Sequence, residues 1–117
     1  MDITNELSTF DQIPILLQEI LVKSCGVLNA SSGLILIENE NSDVLQIGAE
    51  FNIDTSLLNG IIFNKRKGVI AEISKLRRAQ TIIIDQDSFL AKTTCQYALL
   101  SPLLNKNNLA GVIILFD

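Results

Sequence analysis

Apolar residues recur at helical spacing from about residue 11 to residue 28, at Ile13, Leu16, Leu17, Ile20, Leu21 and Leu28 with Ser24 in step, and this predicts an amphipathic helix. Asp11 suits an N-cap, which would put Pro14 in the first turn, where its missing N–H is not needed. A second stripe, Ile15 and Val22, lies seven residues apart on a different face. Two roles are open for the stripes: packing on a sheet, or contact with a second helix. Ile13, Ile15, Leu17, Ile20 and Val22 are the candidate contacts for a dimer.

Beyond the helix the period changes to two. Residues 33–37 are apolar on both alternating faces, as in a central strand covered on each side. Residues 44–51 alternate Leu45, Ile47, Ala49 and Phe51 with polar or small neighbours, which predicts a half-exposed hairpin partner. Asp54 or Thr55 can cap a short turn through Leu57 and Leu58, and Ile61, Ile62 and Phe63 form a short strand candidate. Gly68 to Leu76 fits a short helix, and Thr81 to Ile84 fits a strand, with helix or loop over residues 88–94. Residues 97–104 and 109–116 flank a polar stretch at 105–108 and make a strong hairpin signal. Pro102 marks an edge position or a bulge in it, and Gly111 a bulge or a close approach.

The closing hairpin, Tyr97-Ala98-Leu99-Leu100-Ser101-Pro102-Leu103-Leu104, a polar turn and Leu109-Ala110-Gly111-Val112-Ile113-Ile114-Leu115, resembles that of GAF domains. The upstream order is similar too: an N-terminal helix, a first hairpin, Lys67-Gly68-Val69-Ile70-Ala71-Glu72-Ile73 and Thr81-Ile82-Ile83-Ile84-Asp85. The resemblance spans about Ile13 to Phe116 and rests on apolar, Gly and Pro patterns, which identify a fold better than a function. It implies a single α+β domain over residues 1–117, GAF/PAS-like or profilin-like. An antiparallel five- or six-stranded sheet would carry the N-terminal helix on one face and a pocket of short helices and loops on the other. It further implies a regulatory, non-enzymatic sensory module in signal transduction that binds a small molecule, dimerises, or does both. A ligand-free relay is the alternative, and a thiol redox sensor using Cys25 or Cys95 ranks last.

Pocket candidates are Phe51, Phe63, Ile70, Ile73, Phe89, Leu90, Tyr97 and Leu99 as apolar walls, with Thr93, Thr94, Ser101 and the Tyr97 hydroxyl to orient a ligand. Each of the apolar ones also suits plain core. The family's closing C-terminal helix has no counterpart before Asp117, although Ile113 and Leu115 on one face of the last strand and Val112, Ile114 and Phe116 on the other both need cover. A homodimer or a place within a larger signalling protein is therefore expected.

Composition narrows the chemistry. A chain of 117 residues with 48% hydrophobic and 19% charged residues suits one globular domain. A net charge of −4 and only six aromatics argue against nucleic acid, and the basic clusters at 65–67 and 75–78 fit solvated surface. No apolar run is long enough to span a bilayer and no signal peptide precedes the helix, so the expected location is cytoplasmic.

Histidine is absent, which removes His-ligated haem, histidine metal sites and histidine-activated nucleophiles. Bilin attachment in the family uses a Cys-His pair, so that cofactor is not expected. The cyclic-nucleotide signature lies beyond the final strand in the family, whereas Asn105-Lys106 here falls in the hairpin turn. The free methionine sulfoxide reductases have a catalytic cysteine in the loop matching Gly68-Val69-Ile70, where this chain has none. Cys25 and Cys95 lie far apart without CxxC or Cys/His company, and Glu38, Glu40, Asp43, Asp85 and Asp87 sit where turns are expected.

Overall fold

The computed structural model describes residues 3–39, 43–84, 95–106 and 108–117, with the side chains of residues 3–14 and of Asn105 outside that description. Helix α1 occupies Ile3–Leu28, eight residues longer at its start than the sequence predicts. Asp11 is therefore not an N-cap, and Pro14 lies in the helix interior. Ile3, Leu7 and Phe10 already keep helical spacing, so the helix propagates through Pro14 at the loss of the hydrogen bond its N–H would have donated to the Phe10 carbonyl. At the other end Asn29 takes the left-handed conformation at φ 56°, and the Ala30 N–H donates to the Cys25 carbonyl at 2.9 Å. This is a Schellman closure with asparagine in the usual glycine place.

Six strands follow: β1 Ser32–Glu38, β2 Val44–Phe51, β3 Phe63–Asn64, β4 Gln80–Ile83, β5 Tyr97–Asn105 and β6 Asn108–Phe116. A short 3-10 turn at Thr55–Leu58 precedes β3, and helix α2, Gly68–Leu76, joins β3 to β4. The sheet is antiparallel throughout, in the order β3-β2-β1-β6-β5-β4. The first and last strands thus pair at its centre. Their continuous apolar runs fit that position, with Leu34, Ile35, Leu36, Val112 and Ile114 all fully buried.

Because β3 and β4 are the two edges, the connection between them must cross the whole sheet. It crosses on the face opposite α1, where α2 packs over β3 and β5. Beneath it lies the larger core, formed by Leu34, Leu36, Phe63, Leu100, Ile114 and Phe116 of the sheet with Leu58, Ile70 and Ile73 of the roof. The smaller core under α1 unites Leu21 and Cys25 with Ile35, Ala49 and Leu115. Gly33 sets the closeness of that contact, since a Cβ there would stand 2.7 Å from Leu21 Cδ1 and 2.9 Å from Cys25 Sγ.

Two bulges shape the sheet. In β2 the register slips opposite Ile35 and Leu36, leaving Gly48 as the extra residue. The slip exchanges the faces of β2: Leu45 joins the core under α2, while Ala49 and Phe51 join the one under α1. The expected single alternation of Leu45, Ile47, Ala49 and Phe51 is thus interrupted. The second bulge lies between Leu103 and Leu104, opposite Leu109 to Gly111. A Cβ on Gly111 would sit 2.3 Å from the Leu36 carbonyl oxygen, the close approach its position in the strand predicts. Pro102 pairs with Val112 on one side and lies beyond the part of β5 that pairs with β4, so its missing donor falls on a free edge.

Two predicted strands shift by a residue or two. β3 begins at Phe63 rather than Ile61, and β4 spans 80–83 rather than 81–84. The predicted segment at 88–94 lies outside the described residues.

Candidate functional site

The face beneath α2 is where a pocket was expected, and its residues divide into three groups. Phe63, Ile70 and Ile73 lie there, all buried. Phe51 and Leu99 lie on the other face, in the cluster under α1, which corrects their expected placement. The cause is strand parity: the Gly48 bulge turns Phe51 over, and Leu99 is one residue from Ala98 and Leu100, which face α2. Alternation along β5 puts Tyr97 and Ser101 beside Leu99, so the Tyr97 hydroxyl and Ser101 do not face the α2 side. Phe89, Leu90, Thr93 and Thr94 lie outside the described residues.

Local polar contacts hold this roof in place. The Asp54 carboxylate accepts hydrogen bonds from the Ser56 N–H at 3.0 Å and the Ser56 hydroxyl at 2.6 Å, capping the short turn. Those bonds hold its carboxyl below the usual range. Lys65, with its side chain mostly covered, donates to Glu38 Oε2 at 3.3 Å and reaches the Leu109 carbonyl at 3.5 Å, joining β1, β6 and the roof. Arg66 pairs with Asp43 at 3.2 Å. Part of the first basic cluster is therefore a structural clip. Arg77 takes the left-handed C-cap position of α2, donating its N–H to the Ile73 carbonyl.

The other face offers a different kind of site. Among the described residues, α1 packs on β2 and β1 through Leu17, Leu21 and Cys25, and Ile15, Leu16, Ile20, Val22, Val27 and Leu28 are exposed. Leu17, one of the expected dimer contacts, is thus turned toward the sheet, and the side chain of Ile13 lies outside the description. Ile15, Ile20 and Val22 are exposed, by 61%, 40% and 41%. On this side Ile15, Gln18, Glu19, Val22 and Lys23 form a shallow, open and largely apolar surface along the helix. At its border the Gln18 side chain donates to the Glu50 carbonyl at 2.7 Å and accepts from the Glu50 N–H at 3.4 Å. The amide behaves as one more peptide unit on the side of β2 that β1 does not occupy. Neither the Gly48 bulge nor this latch was foreseen, although a glycine inside a strand is a signal for the former.

Burial raises the Cys25 thiol above its ordinary pKa, which keeps it protonated and unreactive. Among the described residues no three or more His, Cys, Asp or Glu side chains group as metal ligands. No helix among them is long and apolar enough to cross a membrane.

No protein-family model matches the sequence, and no curated protein matches it. Solved structures do. The GAF-domain region of a Geobacter sulfurreducens protein superposes with a TM-score of 0.75 at 14% identity, covering 97% of this chain and 80% of that one. The GAF domain of a phosphoenolpyruvate-protein phosphotransferase from Coxiella burnetii gives 0.73 at 13%, over 97% of this chain and 72% of its own. The NreA protein of Staphylococcus aureus, mutated in its nitrate-binding site, gives 0.70 at 18%, over 86% and 82%. The chain has a GAF-like α+β fold, as its closing hairpin led one to expect.

Proposed function

We propose that this chain is a regulatory module, not an enzyme. In this reading it takes a small molecule between the sheet and the segments 61–76 and 86–95, and dimerises through α1. The observation that carries the reading is the cross-sheet connection roofed by α2. It gives the sheet two unlike faces: one enclosed beside Phe63, Ile70 and Ile73, the other open along α1. A signal module needs both, one to recognise a ligand and one to meet a partner. Phe89, Leu90, Thr93 and Thr94, outside the described residues, are the further wall residues this reading proposes. With Tyr97 and Ser101 turned away, the two threonines are the polar groups left to orient a ligand. The nitrate-binding site named for the similarly folded NreA protein makes a small anion the first ligand to try.

A second reading, a ligand-free relay, draws support from how completely the α2 face is filled. Leu34, Leu36, Leu100 and Ile114 have no exposed surface, as in a core without a cavity. Native mass spectrometry of the protein as purified separates the two. An added small mass, or a rise in the unfolding midpoint on adding nitrate, supports sensing. A dimer without added mass, and with an unmoved midpoint across a panel of small anions and metabolites, selects the relay.

A further inference from the structure

We propose that Asn59-Gly60 is a site of spontaneous covalent modification, at which the Gly60 nitrogen converts Asn59 to aspartate or isoaspartate when the turn leading into β3 opens. The inference stands apart from the ligand and dimer readings above. Asn59 is the one asparagine in the chain followed by glycine, and both residues are exposed. With no Cβ beside it, the backbone nitrogen of a glycine permits the closest approach to the side-chain amide of the residue before it.

The step needs water and no other reactant. The Gly60 nitrogen bonds to Asn59 Cγ and the Cγ–Nδ2 bond breaks. The amide leaves as ammonia, taking the proton that the Gly60 N–H gives up. Water then opens the cyclic imide. Attack at Cγ restores the original backbone with an aspartate side chain, whereas attack at the main-chain carbonyl routes the backbone through Cγ and leaves isoaspartate.

The folded geometry sets when this happens. Asn59 has φ −58° and ψ 133°, Gly60 has φ 81°, and the Ile61 N–H donates to the Leu58 carbonyl at 3.1 Å. These are the features of a type II turn with glycine in its third position. Ring closure needs the Gly60 nitrogen nearly eclipsed with Cβ about the Cα–C bond of Asn59. At a ψ of 133° the nitrogen is turned well away from Cβ, so the turn must open first. The Ile61 bond opposes that motion, as does the Asn59 N–H, which donates to the Ser56 carbonyl at 3.3 Å. The space around the turn does not oppose it. A Cβ on Gly60 would meet nothing within 4 Å, and glycine accepts either sign of φ, so the peptide rotates without displacing a neighbour.

The product matters because the turn tethers two core residues. Leu58 before it and Phe63 after it are both buried beneath α2. Isoaspartate lengthens that tether by a backbone carbon, and loss of ammonia makes the change one-way. Modification at Asn59 therefore loosens the covering of the α2 face.

The test follows the whole chain during incubation in mildly alkaline buffer, with and without urea, by peptide mass mapping that separates aspartyl from isoaspartyl products. Asn59 is expected to convert in the folded chain about three- to tenfold more slowly than in urea, the protection that one or two backbone hydrogen bonds give. Asp54→Ala removes the Ser56 cap at the other end of the 3-10 turn, so it should quicken native conversion of Asn59 several-fold. The exposed Asn29 and Asn52, followed by Ala30 and Ile53, should keep their native rates in that variant. If Asp54→Ala fails to fold, all three asparagines move to their urea rates together, and the unsubstituted chain with and without urea decides the matter. A folded chain in which Asn59 keeps its amide, or equal Asn59 rates with and without urea, overturns the inference.

Discussion

Single residues in this chain act chiefly by letting segments approach. Gly111 is the sharpest case, because the atom its absent Cβ would strike is the backbone oxygen of Leu36, which cannot swing aside. Gly111→Ala is expected to lower stability by about 1–3 kcal/mol, read as a fall in the urea midpoint at unchanged slope. The same substitution at Gly26 should raise the stability of a protomer held monomeric by dilution, since the space is open and alanine favours helix. Cys25 predicts the reverse of a sensor thiol: a maleimide should modify Cys95 first and Cys25 only as the protein unfolds, with burial holding the Cys25 thiol protonated. Gly111 and Pro102 were legible in the sequence because each interrupts an otherwise uniform strand. Gly48 sat in a pattern that stayed plausible when read straight through, so the reversal of Leu45 and Phe51 was hidden.

At the scale of elements, the strands were read closely because their period and their turns agree. The start of α1 is hidden because Asp11 and Pro14 imitate a first turn, although Ile3, Leu7 and Phe10 keep the helical spacing upstream of them. The candidate site suffered more, since naming a pocket wall needs the face of each residue, and the bulge and the parity of β5 decide that. The Gln18 latch joins two elements, so its loss should appear away from the helix. Gln18→Ala is expected to speed amide exchange at Glu50 while leaving β1 and β6 protected. The Asp54 cap gives a pH signature. Its folded-state pKa is depressed, so its stabilising effect is present above the ordinary carboxylate range and lost as pH falls through the folded value. Amide exchange at Ser56 should therefore quicken on acidification in the native chain, and be fast and nearly pH-independent, after correction for intrinsic exchange, in Asp54→Ala.

For the whole molecule, the decisive asymmetry is that one helix covers half a sheet. α1 lies over β2 and β1, and the cluster beneath it takes in the partly buried Ile113, Leu103 and Leu99, while Tyr97 and Ile83 of β5 and β4 have no covering element among the described residues. The exposure grows toward the edge, reaching 49% at Tyr97 and 78% at Ile83, while on the other face of the same strands Ala98 and Leu100 are buried. A sheet face of this kind attracts apolar partners whatever its biological role. It should bind an environment-sensitive apolar dye, and Ile83→Lys together with Tyr97→Ser should reduce that binding several-fold. Both side chains sit outside the two cores, so the urea midpoint is expected to move little. The exposed side of α1 lies beside β2, at the opposite side of the sheet from β4, so the proposed dimerisation through α1 and dye binding at β5 and β4 should vary independently. If the double substitution also dissolves the dimer, the pairing surface includes the bare half of the sheet, and α1 of each copy reaches across it.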